Sequence, residues 1–255
     1  WKIRKCLRLS RNWVLFLAAC AGAVALMSTG ILWLLPKAHA LIAGPAAFRS
    51  SVYDGTSYEF DPSDVRLTLV NANIPLTEEP APDLAVADDA TGEQLEAEAA
   101  AAYREMTAAA QADGITLTLT AGWQDADTRE AAFAEELAAY QAAHTRLSDT
   151  DAAARAASLL PTADTSEQGT GYCADILSPD CTEKTAFAET RAYEWLTAYA
   201  ADYGFILRWP EDRQSATGMA SAPWHWRYVG VENARAIRES GLSLEEFIAL
   251  ERAKL

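Results

Sequence analysis

The chain has little positive charge outside its first residues. Five of its 21 Lys and Arg side chains lie in residues 1–12, a segment without an acidic residue. The rest of the chain therefore carries 16 basic residues against all 36 acidic ones. Because so acidic a body repels phosphate backbones, the composition argues against nucleic acid as a partner.

The chain also has few cysteines and no internal repeat. Two of its four cysteines, Cys6 and Cys20, lie in the N-terminal segment. Cys173 and Cys181 form the other pair, and an oxidising compartment would allow a disulfide between them. A chain of 255 residues without repeats is long enough for one sizeable globular domain with accessory segments.

One long apolar run stands near the N-terminus. Residues 13–35 contain no charged side chain and are long enough to cross a membrane as a helix. The basic segment 1–12 precedes this run, which predicts a cytoplasmic N-terminus and a cell-membrane location. We expect a tether over 36–64 and an extracytoplasmic domain over 65–255. The alternative is a cleaved signal peptide, because Ala38-His39-Ala40 has the small-residue pattern of a cleavage site.

The rest of the chain predicts mixed helices and strands. Thr91 to Gln94 fits a capping box that opens a helix ended by Gly114, and apolar residues alternate with threonines over 115–121. Short apolar runs predict further strands at 67–71, 172–177, 205–209 and around His225. Apolar stripes predict further helices at 127–147, 150–160, 184–203 and two C-terminal segments, the last opened by a capping box at Ser243–Glu246. This irregular order favours an α+β fold.

Two segments carry a family resemblance. The stretch from Ser166 to Asp175 reads SEQGTGYCAD, and the stretch from Pro223 to Gly230 reads PWHWRYVG. They resemble the S-x-H-x-x-G-x-A-x-D and E-P-W-H-x-R-Y-V-G signatures of VanY-type D-alanyl-D-alanine carboxypeptidases, zinc enzymes that trim peptidoglycan stem peptides. The resemblance covers about residues 67–255. It implies an LAS/hedgehog-like carboxypeptidase fold, in which helices surround a central antiparallel sheet.

The resemblance also implies a zinc site, at which this chain departs from the family. In the family, the His and Asp of the first motif and the His of the second bind zinc, and the Glu before the Pro is the base. Asp175 and His225 match two ligand positions. Gln168 stands at the first ligand position and Ala222 at the base position. A segment reading AGWQD replaces the family's S-x-Y-R-S, so Gln124 stands where an arginine holds substrate.

These departures predict a loss of catalysis. A catalytic zinc needs three protein ligands and an open position for water. A neutral amide is a poor zinc ligand, and loss of a general base costs about 10²–10⁴ in rate. We therefore expect at most a weak zinc site and assign no catalytic residue. The domain would bind a peptidoglycan stem peptide or an envelope protein, with Ser166, Trp224 and Gln124 at the substrate-binding positions.

Several alternatives stay open at the site. Cys173 shares a strand face with Asp175 and could supply the missing ligand, with Glu167 or another carboxylate as base. This would give an active metallopeptidase with a rearranged site. Cys173 could instead be a small core residue or half of a disulfide, and His225 a buried histidine held by Asp175 without metal. A structural role in an envelope complex would leave the cleft unused.

The other histidines and the aromatic residues have simpler interpretations. His144 lies on the apolar stripe of the predicted helix 127–147, where we expect it to pack, and His39 lies in the tether, where we expect it to be exposed. Aromatic residues cluster around the motif ends, and core packing is expected for most of them. Some could line a peptide or glycan groove: Trp123, Tyr172, Trp209, Trp224, Trp226 and Tyr228.

Overall fold

The computed structural model describes residues 58–157, 161–181 and 183–255. Within these ranges, no helix has the length and apolar character needed to span a membrane. The predicted cytoplasmic segment, membrane span, signal-peptide alternative and most of the tether fall before residue 58. They lie outside the described residues and stay predictions.

A four-stranded antiparallel sheet forms the centre of the domain. Its spatial order is β3-β4-β6-β5, with β3 at Thr118–Ala121, β4 at Cys173–Leu177, β5 at Phe205–Leu207 and β6 at His225–Tyr228. A separate antiparallel hairpin pairs β1, Leu84–Val86, with β2, Gln94–Glu96. The predicted mixture of helices with a central antiparallel sheet is confirmed.

Seven α-helices lie in the described part of the chain. They are α1 (Ala97–Ala112), α2 (Ala126–Ala143), α3 (Asp149–Ala157), α4 (Arg191–Tyr199), α5 (Gln214–Thr217), α6 (Val231–Ser240) and α7 (Leu244–Arg252). The predicted helix 184–203 is α4 flanked by two 3-10 segments, Lys184–Glu189 and Ala200–Tyr203. The capping box of α7 is confirmed, because the Ser243 hydroxyl accepts from the Glu246 N–H and the Glu246 carboxylate accepts from the Ser243 N–H.

The two faces of the central sheet have different roles. One face carries the core, in which β-strand side chains pack with α1 and α4; its large members are Tyr103, Met106, Leu119, Ile176, Leu196, Phe205 and Trp226. Successive strand residues point to opposite faces. The register pairs Cys173 with Arg227 and Asp175 with His225, so these four residues share the other face. That face carries the candidate site.

The predicted strand at 67–71 is wrong. This segment contains the end of a 3-10 turn, Val65–Leu67, and an isolated bridge between Asn71 and Ile74. The Asn71 side chain accepts hydrogen bonds from the N–H groups of Asn73 and Ile74. Such a local side-chain bond offers the backbone an alternative to a strand ladder.

The predicted capping box at Thr91 is also wrong. Thr91 accepts from the Glu93 N–H within a turn, and the next residues continue as β2 rather than as a helix. Helix α1 begins at Ala97, where the Glu96 carboxylate accepts from the Glu98 N–H. Pairing of these residues with β1 overrides the local helix signal.

The predicted packing of His144 is wrong. Helix α2 ends at Ala143, and His144 is exposed at its C-cap, stacked on Tyr140 with ring centroids 4.0 Å apart. The apolar stripe of α2 is only half buried, because this helix packs against α3 rather than on the sheet. Arg129 is the buried side chain of α2.

Candidate functional site

The β4–β6 ladder brings the two matched ligand positions into contact. Asp175 lies opposite His225, and the Asp175 Oδ1 atom lies 2.7 Å from His225 Nδ1. Both residues are buried, with 5% and 4% of their surface exposed. The Trp209 ring stacks on the imidazole at a centroid distance of 4.2 Å. The pair is therefore fixed by strand register on one side and by an indole on the other.

Electrostatics favour the charged form of both partners. Burial raises the pKa of Asp175, but the hydrogen bond and charge of His225 and the charge of Lys184 outweigh it, so the pKa lies below its ordinary value. Burial lowers the pKa of His225, but its bond to Asp175 and the nearby Cys173 sulfur raise it to about 10. These directions favour an ion pair between the two residues at neutral pH.

We expect the His225 ring to stay protonated through neutral pH. Because its folded-state pKa of about 10 exceeds the unfolded value of 6.5, its contribution to stability is complete below about pH 6.5. That contribution is lost as the pH rises through about 10. Asp175 behaves oppositely, because its depressed pKa makes its contribution disappear as the pH falls. An NMR titration of the ring Cε1–H resonance measures this, and a midpoint near 6.5 in the parent would contradict it. Asp175→Asn should lower the midpoint.

Lys184 is a site residue that the sequence analysis missed. Its Nζ atom lies 3.0 Å from Asp175 Oδ2 and over the Trp224 ring, 5.6 Å from the centroid. With the His225 contact, both Asp175 carboxylate oxygens have partners. Lys184 precedes α4 in a 3-10 segment, and nothing in the local sequence indicates that it reaches β4.

The first motif enters the site through a 3-10 turn. Residues Glu167–Thr170 form this turn, and the Ser166 hydroxyl accepts from the Gln168 N–H. Gly171 ends the turn at φ 77°, in the left-handed region, where an added Cβ would lie 3.0 Å from the Glu96 nitrogen. The motif glycine is therefore required by both conformation and space.

The backbone brings Gln124 next to Gln168. The Gln124 N–H donates to the Gln168 carbonyl at 3.4 Å, and both side chains are half-buried. Arg129 is a nearby cation, but it donates to the carbonyls of Gln124 and Ala163 and pairs with Glu79. Arg129 is buried and these contacts engage four of its five N–H donors, so we do not assign it the role of the arginine that Gln124 replaces.

Ala222 and Trp224 precede the His225 strand. Ala222 is buried, its N–H donates to the Trp209 carbonyl, and its carbonyl accepts from the His225 N–H. Its methyl side chain holds no proton acceptor. Trp224 is half-buried, and its ring lies beside the Lys184 ammonium group.

Glu167 is a buried anion between two arginines. Both carboxylate oxygens accept from Arg208 Nε, at 3.0 and 2.9 Å, and Arg227 Nη1 lies 3.4 Å away. Arg208 also donates to Glu245. Burial raises the pKa of Glu167, but the two arginines outweigh it and hold the pKa below its ordinary value. Since its oxygens are engaged, Glu167 is not free to act as a general base in this arrangement.

Cys173 and Cys181 are free buried thiols, so the disulfide alternative is not formed. The Cys173 sulfur lies 3.6 Å from Glu167 Oε2, whereas the Cys181 sulfur, beyond the other end of β4, lies 3.4 Å from the Glu183 carbonyl. The Cys173 sulfur, a Glu167 oxygen and a His225 nitrogen lie within 4.8 Å of one another. No other such group of potential metal ligands exists among the described residues.

Neither set of candidate ligands fits a zinc ion. In the matched positions, Gln168 offers an amide, and the two Asp175 oxygens are held by Lys184 and His225. In the group with Cys173, the Glu167 carboxylate is held by two guanidinium groups, which would repel a divalent cation. Zinc requires deprotonated ligands that can approach to about 2.0–2.3 Å. The His225 Nε2 atom is buried without a hydrogen-bond partner, and it is the one uncommitted imidazole nitrogen of the site.

Sequence comparison identifies the class to which this fold and site belong. Residues 92–231 match the VanY model, described as D-alanyl-D-alanine carboxypeptidase. A D-alanyl-D-alanine carboxypeptidase of Enterococcus faecalis is 30% identical over 192 residues, which cover 75% of this chain and 69% of that protein. The putative carboxypeptidase YodJ of Bacillus subtilis is 32% identical over 59% of this chain and 52% of its own. The chain belongs to the VanY family.

Solved structures agree with this assignment. VanYB in complex with D-alanine-D-alanine superposes with a TM-score of 0.65 at 29% identity, covering 72% of this chain and 97% of that one. A mutant of the vancomycin-resistance D,D-pentapeptidase VanY in complex with Zn(II) gives 0.64 at 30% identity, covering 72% and 98%. The LD-carboxypeptidase LdcB gives 0.62 at 28% identity, covering 74% and 87%. The family resemblance of the two motifs is thereby confirmed.

Proposed function

We propose that this chain is a membrane-anchored, extracytoplasmic VanY-family domain that binds the end of a peptidoglycan stem peptide without hydrolysing it. The observation that carries the proposal is the chemistry around Asp175 and His225. Gln168 and Ala222 stand at the motif positions of a ligand and the base, and Lys184 holds the Asp175 carboxylate. Together, the described residues of the site provide neither a set of ligands that fits zinc nor a free general base.

The ligand class rests on the relatives. VanYB is described in complex with D-alanine-D-alanine, and LdcB is an LD-carboxypeptidase described as recognising peptidoglycan. Both D,D- and L,D-type proteins therefore superpose on this chain. Ser166 caps Gln168, Gln124 contacts the Gln168 backbone and Trp224 lies beside Lys184, and these three residues are our proposed contacts for the peptide. A peptide ending in D-Ala-D-Ala is the first ligand to test.

Metal content and D-alanine release test the loss of catalysis. We expect the full chain, purified in detergent, to hold zinc well below one ion per chain and to release no D-alanine from a D-Ala-D-Ala-ended peptide. The same peptide should still bind, as measured by calorimetry. Stoichiometric zinc together with zinc-dependent release would overturn the proposal. Absence of peptide binding would favour an envelope protein as the partner.

The membrane anchor is tested separately. Residues 13–35 carry no charge and follow five basic residues, which supports an uncleaved anchor with the domain outside. We expect the full-length protein in the membrane fraction and its C-terminal domain accessible to protease added to spheroplasts. A shortened protein released from the membrane would show the signal-peptide alternative instead.

A second candidate is an active metallopeptidase with a rearranged site. The observation in its favour is the group formed by Glu167, Cys173 and His225, with ligand atoms within 4.8 Å. This activity would require Glu167 to leave Arg208 and Arg227. Cys173→Ala would then abolish zinc-dependent D-alanine release, whereas under our proposal there is no release for this substitution to abolish.

A further inference from the structure

We infer that the ammonium group of Lys184 takes the place of a metal ion beside Asp175, and that this protein-borne cation receives the carboxylate end of the bound peptide. Recognition of the peptide carboxylate rests on the proposed function, whereas the replacement of a metal ion by Lys184 does not. Lys184 belongs to neither motif. Its assignment comes from its contacts with Asp175 and Trp224.

Both carboxylate oxygens of Asp175 are already occupied. A metal ion would need one of the two carboxylate oxygens at about 2.0–2.2 Å. Oδ2 accepts from Lys184 at 3.0 Å and Oδ1 contacts His225 at 2.7 Å. A metal at Oδ2 must therefore displace the ammonium group or lie beside it. Because Lys184 is part of the same chain, its ammonium group competes with any metal ion for Asp175 in every molecule.

The buried and partly buried carboxylates near Asp175 are already paired with arginines. Glu167 and Glu245 are compensated by Arg208, with Arg227 also close to Glu167. These carboxylates therefore contribute little negative potential to attract a divalent ion. Asp175 forms an ion pair with Lys184, which lies outside the sheet. A divalent ion at this carboxylate would experience repulsion from Lys184 with little compensation from the neighbouring acids.

Lys184 has hydrogen-bond donors beyond the one bonded to Asp175. An ammonium group has three N–H donors, and the structure assigns one of them, to Asp175. The side chain is 48% exposed, so the remaining donors can reach a ligand from solvent. A charge-assisted bond to a carboxylate is among the stronger hydrogen bonds available. The Trp224 ring, 5.6 Å from the ammonium group, adds an apolar surface for a short aliphatic side chain.

Zinc affinity tests the replacement of the metal. In competition with a fluorescent zinc chelator, Lys184→Met in the full chain should bind zinc at least about tenfold more tightly than the parent, because a nearby like charge is removed. Lys184→Arg should resemble the parent. Lys254→Met is the matched control, since Lys254 is also paired and partly exposed, with a 58% exposed side chain beside Glu251, and it should change zinc affinity less than about twofold. Equal zinc affinity of Lys184→Met and the parent would overturn the inference.

Peptide binding in excess EDTA tests the carboxylate contact. A D-Ala-D-Ala-ended peptide acid should bind Lys184→Met about tenfold more weakly than the parent, and Lys184→Arg should restore most of the affinity. The corresponding C-terminal amide should bind the parent and Lys184→Met equally. Undiminished binding of the acid to Lys184→Met would overturn carboxylate recognition.

The two experiments separate the possible failures. If neither peptide form binds the parent, the proposed function and the carboxylate contact fail together, while the zinc measurement still decides whether Lys184 replaces a metal. If the parent binds zinc tightly and loses it in Asp175→Asn, the replacement itself is wrong. Thermal unfolding of each variant confirms that a change in binding is measured on folded protein.

Discussion

Replacing Glu167 by Gln should destabilise the domain by about 3–5 kcal/mol, because it leaves buried guanidinium groups without their counter-charge. Glu167, Arg208 and Arg227 have side chains that are 0–1% exposed. The amide keeps the shape of the carboxylate but removes its charge, so the loss reports electrostatics rather than packing. Urea denaturation of the parent and variant measures the difference in unfolding free energy.

Two carboxylates that pair with other or the same buried arginines, but are themselves more exposed than Glu167, serve as matched controls. Glu245, which lies on α7, pairs with Arg208, and its side chain is 15% exposed. Glu79 pairs with Arg129, and its side chain is 44% exposed. Because solvent screens these carboxylates, Glu245→Gln should cost less than Glu167→Gln, and Glu79→Gln should cost about 1 kcal/mol or less. A loss below about 1 kcal/mol for Glu167→Gln would show that the arginines can be solvated without Glu167.

The same network should contribute to acid sensitivity. The pKa of Glu167 is depressed, so its contribution to stability is present at neutral pH and is lost as the pH falls through the folded-state value. Glu167→Gln removes a group that titrates in this range. The difference in stability between parent and variant should therefore shrink in acid, which is a readout that a purely steric defect would not produce.

Local signals predicted much of the sheet and the helix ends. The predicted apolar runs correspond to β4, β5 and β6, and the predicted helix end at Gly114 corresponds to a left-handed glycine, φ 75°, just after α1. These features depend on residues close in sequence, which is why pattern and turn chemistry are sufficient for them. The β1–β2 hairpin was not predicted, because Leu84–Val86 is a short segment within an acidic, proline-bearing stretch.

The sequence predicted the site residues that lie within the two motifs. It did not predict the residues that reach the site from other segments of the chain. Asp175 and His225 were expected at one site, and the strand register brings them together. Lys184 reaches Asp175 from the segment before α4, and Arg208 reaches Glu167 from beyond β5. Such ion pairs depend on tertiary geometry, and a single charged residue in a loop carries no local signal of its partner.

Stepwise replacement of the residues at which this chain differs from the family motifs should partly restore a zinc peptidase. Gln168→His supplies the absent imidazole, so we expect a higher zinc affinity, whereas Gln168→Asn, which keeps an amide, should bind zinc no better than the parent. Metal analysis and chelator competition measure both. If Gln168→His binds zinc no better than the parent, Gln168 does not stand at the ligand position.

Hydrolysis should require more than the metal. Ala222 holds no proton acceptor, and a general base contributes about 10²–10⁴ in rate, so D-alanine release should appear only when Ala222→Glu is added to Gln168→His. Gln124→Arg should raise it further by restoring a cation for the substrate. Adding Lys184→Met should increase the zinc occupancy of each of these variants, because the ammonium group no longer competes for Asp175. Zinc-dependent release by Gln168→His alone would show that another carboxylate of the chain already serves as the base.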